Sequence, residues 1–266
     1  MSVLTLELIQ KGSESSSLIF FPGGPGLLWH CFEKLISSLS VKSSIYGVNY
    51  GKTSNDEPSY FNELRFELIL LLQRLPNPVL VTHSFSSMLL LTIERLPSLK
   101  GLVLISPAID NTYLIDLPQR LKKYTNFDAT NIAASFWINP SDERYGDYFK
   151  TLLPFYVRPE YREEGLNMLN QSQFSYLPYA LFVQHFIPSF TQSYSPNQPT
   201  LVISGDDDHI CPPDLFKNSK LFDAKNIQVC IIPEAGHFPW IDHPHETINA
   251  INNWYDALKM YRPSNR

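Results

Sequence analysis

Seven short apolar, β-branched or aromatic runs, each bounded by turn residues, constrain this chain more than any other feature. They lie at Val3 to Ile9, Leu18 to Phe21, Ile45 to Asn49, Val79 to Thr82, Leu102 to Ile105, Leu201 to Ser204 and Gln228 to Ile232. Longer stretches of helical pattern separate or follow them: Leu28 to Leu39, Tyr60 to Leu75, Phe85 to Arg95, Pro213 to Leu221 and His245 to Met260. A strand buried on both faces reads as a continuous apolar run, and amphipathic helices between such strands serve as crossovers. The alternation therefore predicts an α/β fold with a mostly parallel, doubly wound sheet. Proline punctuation agrees: Pro213 suits a first helical turn, and Pro76 and Pro97 stop the helices before them.

The alternation fails between Pro107 and Pro199. That stretch has helix-like segments, no buried strand pattern and many aromatics, among them Tyr145, Tyr148, Phe149, Tyr156, Tyr179 and Phe182. It reads as an insertion between two strands, with residues 1–107 and 199–266 forming the core and 108–198 a helical unit. At 266 residues the chain can bury a substantial core without disulfides. The three cysteines, Cys31, Cys211 and Cys230, are odd in number and widely spaced, which fits free thiols in a reducing compartment.

A formal charge of −5 and the lack of a long basic run argue against a nucleic-acid partner. The first ten residues include Glu7 and no basic cluster, so they read as a strand rather than a signal peptide. No apolar run approaches the roughly 18 residues of a membrane span. The expected location is cytoplasmic.

In an open parallel sheet, reactive groups belong at the carboxyl ends of strands. Four such ends carry chemistry: Pro22-Gly23-Gly24-Pro25-Gly26, Thr82-His83-Ser84-Phe85-Ser86, Gly205-Asp206-Asp207-Asp208 and Pro233-Glu234-Ala235-Gly236-His237. Ser84 sits at a strand-to-helix boundary, where a sharp turn exposes a hydroxyl. A hydroxyl is a weak nucleophile until a base takes its proton, and the base needs a carboxylate to fix its tautomer. His237 and one aspartate of 206–208 can supply those roles. The negative oxygen of a tetrahedral intermediate needs backbone N–H donors, for which Gly24 and Phe85 are the candidates. The chain has only 11 glycines against 21 prolines, so three glycines within residues 22–26 mark a loop with special backbone needs.

These motifs resemble those of the α/β-hydrolase superfamily over nearly the whole chain. Val81 to Ser86 resembles the nucleophile elbow, Gly205 to Pro212 the acid loop, and Gly236-His237-Phe238-Pro239-Trp240 the histidine segment. The Gly-Gly-Pro-Gly sequence is most similar to that of proline iminopeptidase-like members. The resemblance implies a cap domain after the family's sixth strand, in register with the insertion at 108–198. The family spacing also selects Asp208, through Gly205, Ile210 and Pro212. Three departures stand out. Thr82 and Ser86 replace the elbow glycines, Pro22 replaces the usual oxyanion-loop histidine, and Asn49-Tyr50-Gly51-Lys52-Thr53-Ser54 replaces an Asp-x-Arg-Gly-x-Gly-x-Ser stretch.

The expected function is a serine hydrolase with Ser84, His237 and Asp208 as nucleophile, base and orienting acid, acting on a small ester, thioester or amide. It implies no metal or organic cofactor, and its partner is a small-molecule or short-peptide substrate. One alternative is a prolyl-type aminopeptidase, in which Glu160, Glu163 or Glu164 would hold the substrate ammonium group rather than form a solvated helix face. Another is a non-catalytic binding protein on the same fold. A lyase or acyl-transferase would use the same three residues, whereas an aspartate-nucleophile epoxide hydrolase is disfavoured by the serine. His83, His209, His243 and His245 are the rival histidines. The His243-Pro244-His245 pair fits the start of the last helix better than a metal site.

Overall fold

A computed structural model describes residues 2–51, 59–114, 117–124, 130–217 and 219–260. All seven apolar runs form strands: β1 (Leu4–Gln10), β2 (Ser17–Phe21), β3 (Ser44–Tyr50), β4 (Pro78–His83), β5 (Gly101–Ile105), β6 (Thr200–Gly205) and β7 (Ile227–Ile232). They pair in the order β1-β3-β2-β4-β5-β6-β7. Only β1 runs antiparallel to its neighbour.

The pleat divides the central strands between two cores, since successive side chains point to opposite faces. Ile19, Phe21, Leu80, Leu102, Leu104 and Val202 enter one core, packed against helices Tyr60–Arg74 and Phe85–Leu91. Leu18, Phe20, Val79, Val81, Val103 and Leu201 enter the other, against helices Glu33–Ser38 and Pro244–Met260. Helix Tyr60–Arg74 buries Tyr60, Phe61, Leu64, Leu68 and Leu72, which fall on one face at helical spacing.

Three of the helical patterns are cut short, the first of them, Leu28 to Leu39, dividing into a 3-10 turn at Trp29–Phe32 and helix Glu33–Ser38. The helix expected to reach Arg95 ends at Leu91, because the Leu91 carbonyl accepts the N–H groups of Ser193 and Tyr194, each at 2.9 Å. The pattern from Pro213 to Leu221 splits into Asp214–Lys217 and a 3-10 turn at Lys220–Phe222. There the Ser219 hydroxyl caps Leu221 N–H at 3.2 Å, competing with a continued helix.

The stretch between β5 and β6 contains the helices Leu117–Tyr124, Thr130–Ile138, Asp142–Thr151, Arg162–Gln171 and Tyr176–Leu181. Among its described residues the only β contacts are isolated bridges, Leu27 to Phe174 and Asp110 to Thr191. The strand before this stretch is the fifth of this sheet. Among the described residues no helix is long and apolar enough to cross a membrane.

Candidate active site

The strand order creates a crevice. From β2 the chain moves to β3 on one side, while β4 begins the succession β5, β6, β7 on the other. The crevice between the carboxyl ends of β2 and β4 is a topological switch point, where ligands bind in sheets of this kind. The Gly23-Gly24 loop leaves β2 on one side of it, and Ser84 follows β4 on the other.

Ser84 has φ +51° and ψ −116°, a conformation that non-glycine residues rarely adopt and that costs about 1–3 kcal/mol. Its surroundings hold it there. Ser84 N–H donates to the Ile105 carbonyl at 2.9 Å, and its own carbonyl accepts Met88 N–H at 3.1 Å as the next helix starts. The residues in the two glycine positions are built into the turn through their hydroxyls. Ser86 Oγ donates to the Phe21 carbonyl at 2.6 Å and accepts His83 N–H at 2.9 Å, linking the elbow to the end of β2. Thr82 Oγ1 lies 2.8 Å from Ser87 Oγ and 3.2 Å from the Val103 carbonyl. Both side chains are fully buried with their polar atoms satisfied, so neither forces the turn open.

Ser84, His237 and Asp208 come together. His237 Nε2 is 2.9 Å from Ser84 Oγ, and His237 Nδ1 is 2.9 Å from Asp208 Oδ2. His237 and Asp208 are each 1% exposed, whereas Ser84, at 8%, lines a cavity. Asp208 Oδ1 accepts the N–H groups of Ile210 at 2.9 Å and Cys211 at 2.8 Å. Burial alone would raise the Asp208 pKa, but His237 and these N–H donors hold the carboxyl below its usual range. Its two neighbours turn elsewhere. Asp206 accepts Glu234 N–H at 2.7 Å, and Asp207 pairs with Arg158 at 3.1 Å and His209 at 3.6 Å.

Two packing features fix the approach of these loops. Gly205 ends β6 against the histidine loop, and a Cβ there would collide with the Ala235 carbonyl. Gly205→Ala is accordingly expected to cost about 3 kcal/mol, read as a lower urea midpoint at unchanged m. On the other side Gly24 has φ +114°, a region that favours glycine. The loop around it is held by Tyr50 Oη donating to the Pro22 carbonyl at 2.8 Å and Tyr145 Oη to the Pro25 carbonyl at 2.6 Å. Tyr50 belongs to the stretch that departs from the family pattern; Lys52, Thr53 and Ser54 of that stretch lie outside the described residues. Gly24 and Phe85 both line the cavity, and Phe85 N–H, in the first helical turn, has no intrahelical acceptor.

The cavity has a volume of about 230 Å³ and brings Gly24, Ser84, Phe85 and His237 together with apolar side chains, most of them from 108–198. Leu152, Phe155, Tyr179 and Val183 are among these, and no charged side chain lines it among the described residues. Glu163 and Glu164 are exposed in the first turn of helix Arg162–Gln171, and Glu160 pairs with Arg158 at 3.5 Å. None of the three reaches the cavity.

Several supporting residues carry no signature in the sequence. The Tyr156 carbonyl accepts His237 N–H at 2.8 Å and Phe238 N–H at 3.2 Å. Buried Asp242 accepts Gly236 N–H at 2.6 Å and Arg158 N–H at 3.2 Å, and burial raises its pKa to about 6. The residues 156–158 are thus bonded to the loop that carries His237. Of the rival histidines, His209 faces Asp207, and His243 precedes helix Pro244–Met260, its carbonyl accepting Thr247 N–H at 3.1 Å. Burial and the nearby Asp208 charge push the Cys211 thiol well above its usual range, which keeps it protonated and inert.

The profile of the alpha/beta hydrolase family matches residues 18–250. No curated protein matches the sequence significantly. Among solved structures, a thermophilic esterase from Thermogutta terrifontis superposes with a TM-score of 0.68 at 17% identity, covering 96% of this chain and 93% of its own. A proline iminopeptidase-related protein from Thermus thermophilus gives 0.69 at 19% identity, with 96% and 94% covered. An epoxide hydrolase from Bacillus megaterium gives 0.66 at 16% identity, with 95% and 97% covered. At such identities these likenesses establish the fold, while the profile match spans most of the sequence: the chain belongs to the alpha/beta hydrolase family.

Proposed function

We propose that the protein is a serine hydrolase that transfers the acyl group of a small, uncharged ester, thioester or amide to water. The observation that carries this reading is the hydrogen-bonded chain from Asp208 through His237 to Ser84, ending on a cavity. His237 Nε2 takes the Ser84 proton as Oγ bonds to the substrate carbonyl carbon, and Gly24 and Phe85 N–H groups hold the oxyanion. The proton then passes to the leaving alkoxide, thiolate or amine as its bond to the acyl carbon breaks. Water, deprotonated by His237, attacks the acyl-serine, and Ser84 regains its proton as the acid departs.

The apolar lining favours an uncharged acyl or alcohol group, since a charge placed there would lose its hydration without a partner. For the same reason the aminopeptidase alternative has little support: among the described residues no carboxylate lines the cavity to receive a substrate ammonium group. The strained φ of Ser84 speaks against a purely binding role, because binding alone gives no reason to retain it. The serine at the elbow sets this chain apart from aspartate-nucleophile chemistry. We further assign 108–198 as a cap over the core formed by 1–107 and 199–266, supported by its share of the cavity wall.

A fluorophosphonate probe tests the assignment. The wild-type protein is expected to be labelled and Ser84→Ala is not; equal labelling of both would remove Ser84 as nucleophile. Short-chain aryl esters should be cleaved faster than a prolyl arylamide, and the reverse order would restore the aminopeptidase reading.

A further inference from the structure

His83, directly before Ser84, is fully buried between the rings of His237, Phe238 and Trp240, with centroids 4.8, 5.1 and 4.8 Å away. It borders the cavity, and among the described residues its ring makes no hydrogen bond to the Ser84 hydroxyl. Its Nε2 lies 3.0 Å from the backbone carbonyl of His237. A carbonyl only accepts, so Nε2 carries the proton and Nδ1 the lone pair. Nδ1 is buried and has no partner among the described residues. Burial first, and then the neighbouring His237, hold the His83 pKa well below the usual histidine range, so the ring stays neutral. The same carbonyl accepts a second bond, from Ser106 Oγ at 3.1 Å. Ser106 is fully buried after β5 and has φ +46°.

The placement has a mechanical meaning. His237 sits in a loop, where no strand or helix ladder fixes its peptide groups. Its N–H is taken by the Tyr156 carbonyl, and its carbonyl by donors from the ends of β4 and β5. One of those donors is the residue bonded to Ser84. A shift of the His237 peptide relative to the elbow would therefore strain these hydrogen bonds as it lengthened the Ser84–His237 distance.

Resting on the serine-hydrolase reading above, we propose that His83 is a positioning residue: with Ser106 it holds the His237 carbonyl and so keeps His237 Nε2 aligned with Ser84 Oγ. It acts as a hydrogen-bond donor and not as a base. A misplacement of about 1 Å at reacting groups can lower a rate about 100-fold, so loss of the donor is expected in kcat and in the rate of fluorophosphonate labelling.

The test uses His83→Leu, which removes the donor at similar volume, and His83→Gln, which keeps an N–H donor in reach. Unfolding midpoints and far-UV spectra serve as the structural control. With p-nitrophenyl butyrate, His83→Leu is expected to lower kcat and the labelling rate about 30-fold with KM within about twofold, and His83→Gln to recover to within about threefold of wild type. Ser106→Ala alone should cost about three- to fivefold. Combined with His83→Leu it should cost more than the product of the two, since each donor partly covers for the other. A folded His83→Leu with wild-type kcat, or a His83→Gln no better than His83→Leu, would overturn the proposal. If His83→Leu does not fold, Ser106→Ala and His83→Gln decide: an unchanged Ser106→Ala, or a His83→Gln that folds but is 30-fold slower, is equally fatal. Loss of the underlying reading looks different, since wild type and Ser84→Ala would then be labelled alike.

Discussion

Ser84→Ala and His237→Ala should each lower kcat for ester hydrolysis by about a millionfold, and the double variant should be no slower than the worse single one. The reason is that in the proposed mechanism neither group acts alone. The Ser84 hydroxyl is a poor nucleophile until His237 Nε2, 2.9 Å away, takes its proton, and His237 has nothing to activate without the hydroxyl. Once either is gone, the second substitution removes a group that was already idle. What would survive is catalysis by the proposed oxyanion donors, Gly24 and Phe85, and the cavity, about 10³- to 10⁴-fold over water in serine hydrolases generally. KM should change little, because the cavity wall is mostly apolar side chains that both variants keep. Steady-state kinetics with p-nitrophenyl butyrate on the four proteins checks this. Losses that multiply in the double variant would show that Ser84 and His237 act independently.

The parts of this arrangement visible in the sequence are those written in local chemistry. Strands such as Leu201 to Ser204 show because burial on both faces demands an unbroken apolar run. Ser84, His237 and the aspartate run 206–208 show because each follows a strand with turn residues at the end where a parallel sheet binds ligands, while the choice of Asp208 within that run comes from the family spacing. What the sequence hides is decided by tertiary partners. Thr82 and Ser86 look like obstacles until the Val103 and Phe21 carbonyls are seen to accept their hydroxyls. The helix after Ser84 ends early because residues more than 90 positions later, Ser193 and Tyr194, take the Leu91 carbonyl. The Tyr156 contribution is a backbone carbonyl, which any residue type could supply. Tyr50, in a stretch that departs from the family pattern, holds the Gly24 loop through a phenol that spacing alone would not point to.

Asp208→Asn should lower kcat about 10⁴-fold while Asp206→Asn and Asp207→Asn stay within about threefold. The argument turns on donors and acceptors. Asp208 uses both oxygens as acceptors: Oδ1 takes two backbone N–H groups, from Ile210 and Cys211, and Oδ2 takes His237 Nδ1–H. An asparagine has one oxygen, and two backbone donors outbid one ring donor for it. The amide nitrogen then faces His237 Nδ1, which must become an acceptor. That moves the imidazole proton to Nε2, opposite Ser84 Oγ, so the base no longer has a lone pair where the hydroxyl proton must go. Asp206 and Asp207 are bonded to Glu234 N–H and to Arg158, away from the ring, so their amides leave the tautomer alone. Stability should follow the same carboxylate. Its folded pKa is lowered, so its contribution is present above the pKa of the unfolded chain and fades as pH falls through the folded value. The urea-midpoint difference between wild type and Asp208→Asn should therefore be largest near neutral pH and shrink in acid. A difference that grew on acidification would mean that Asp208 is not the ionised partner of His237.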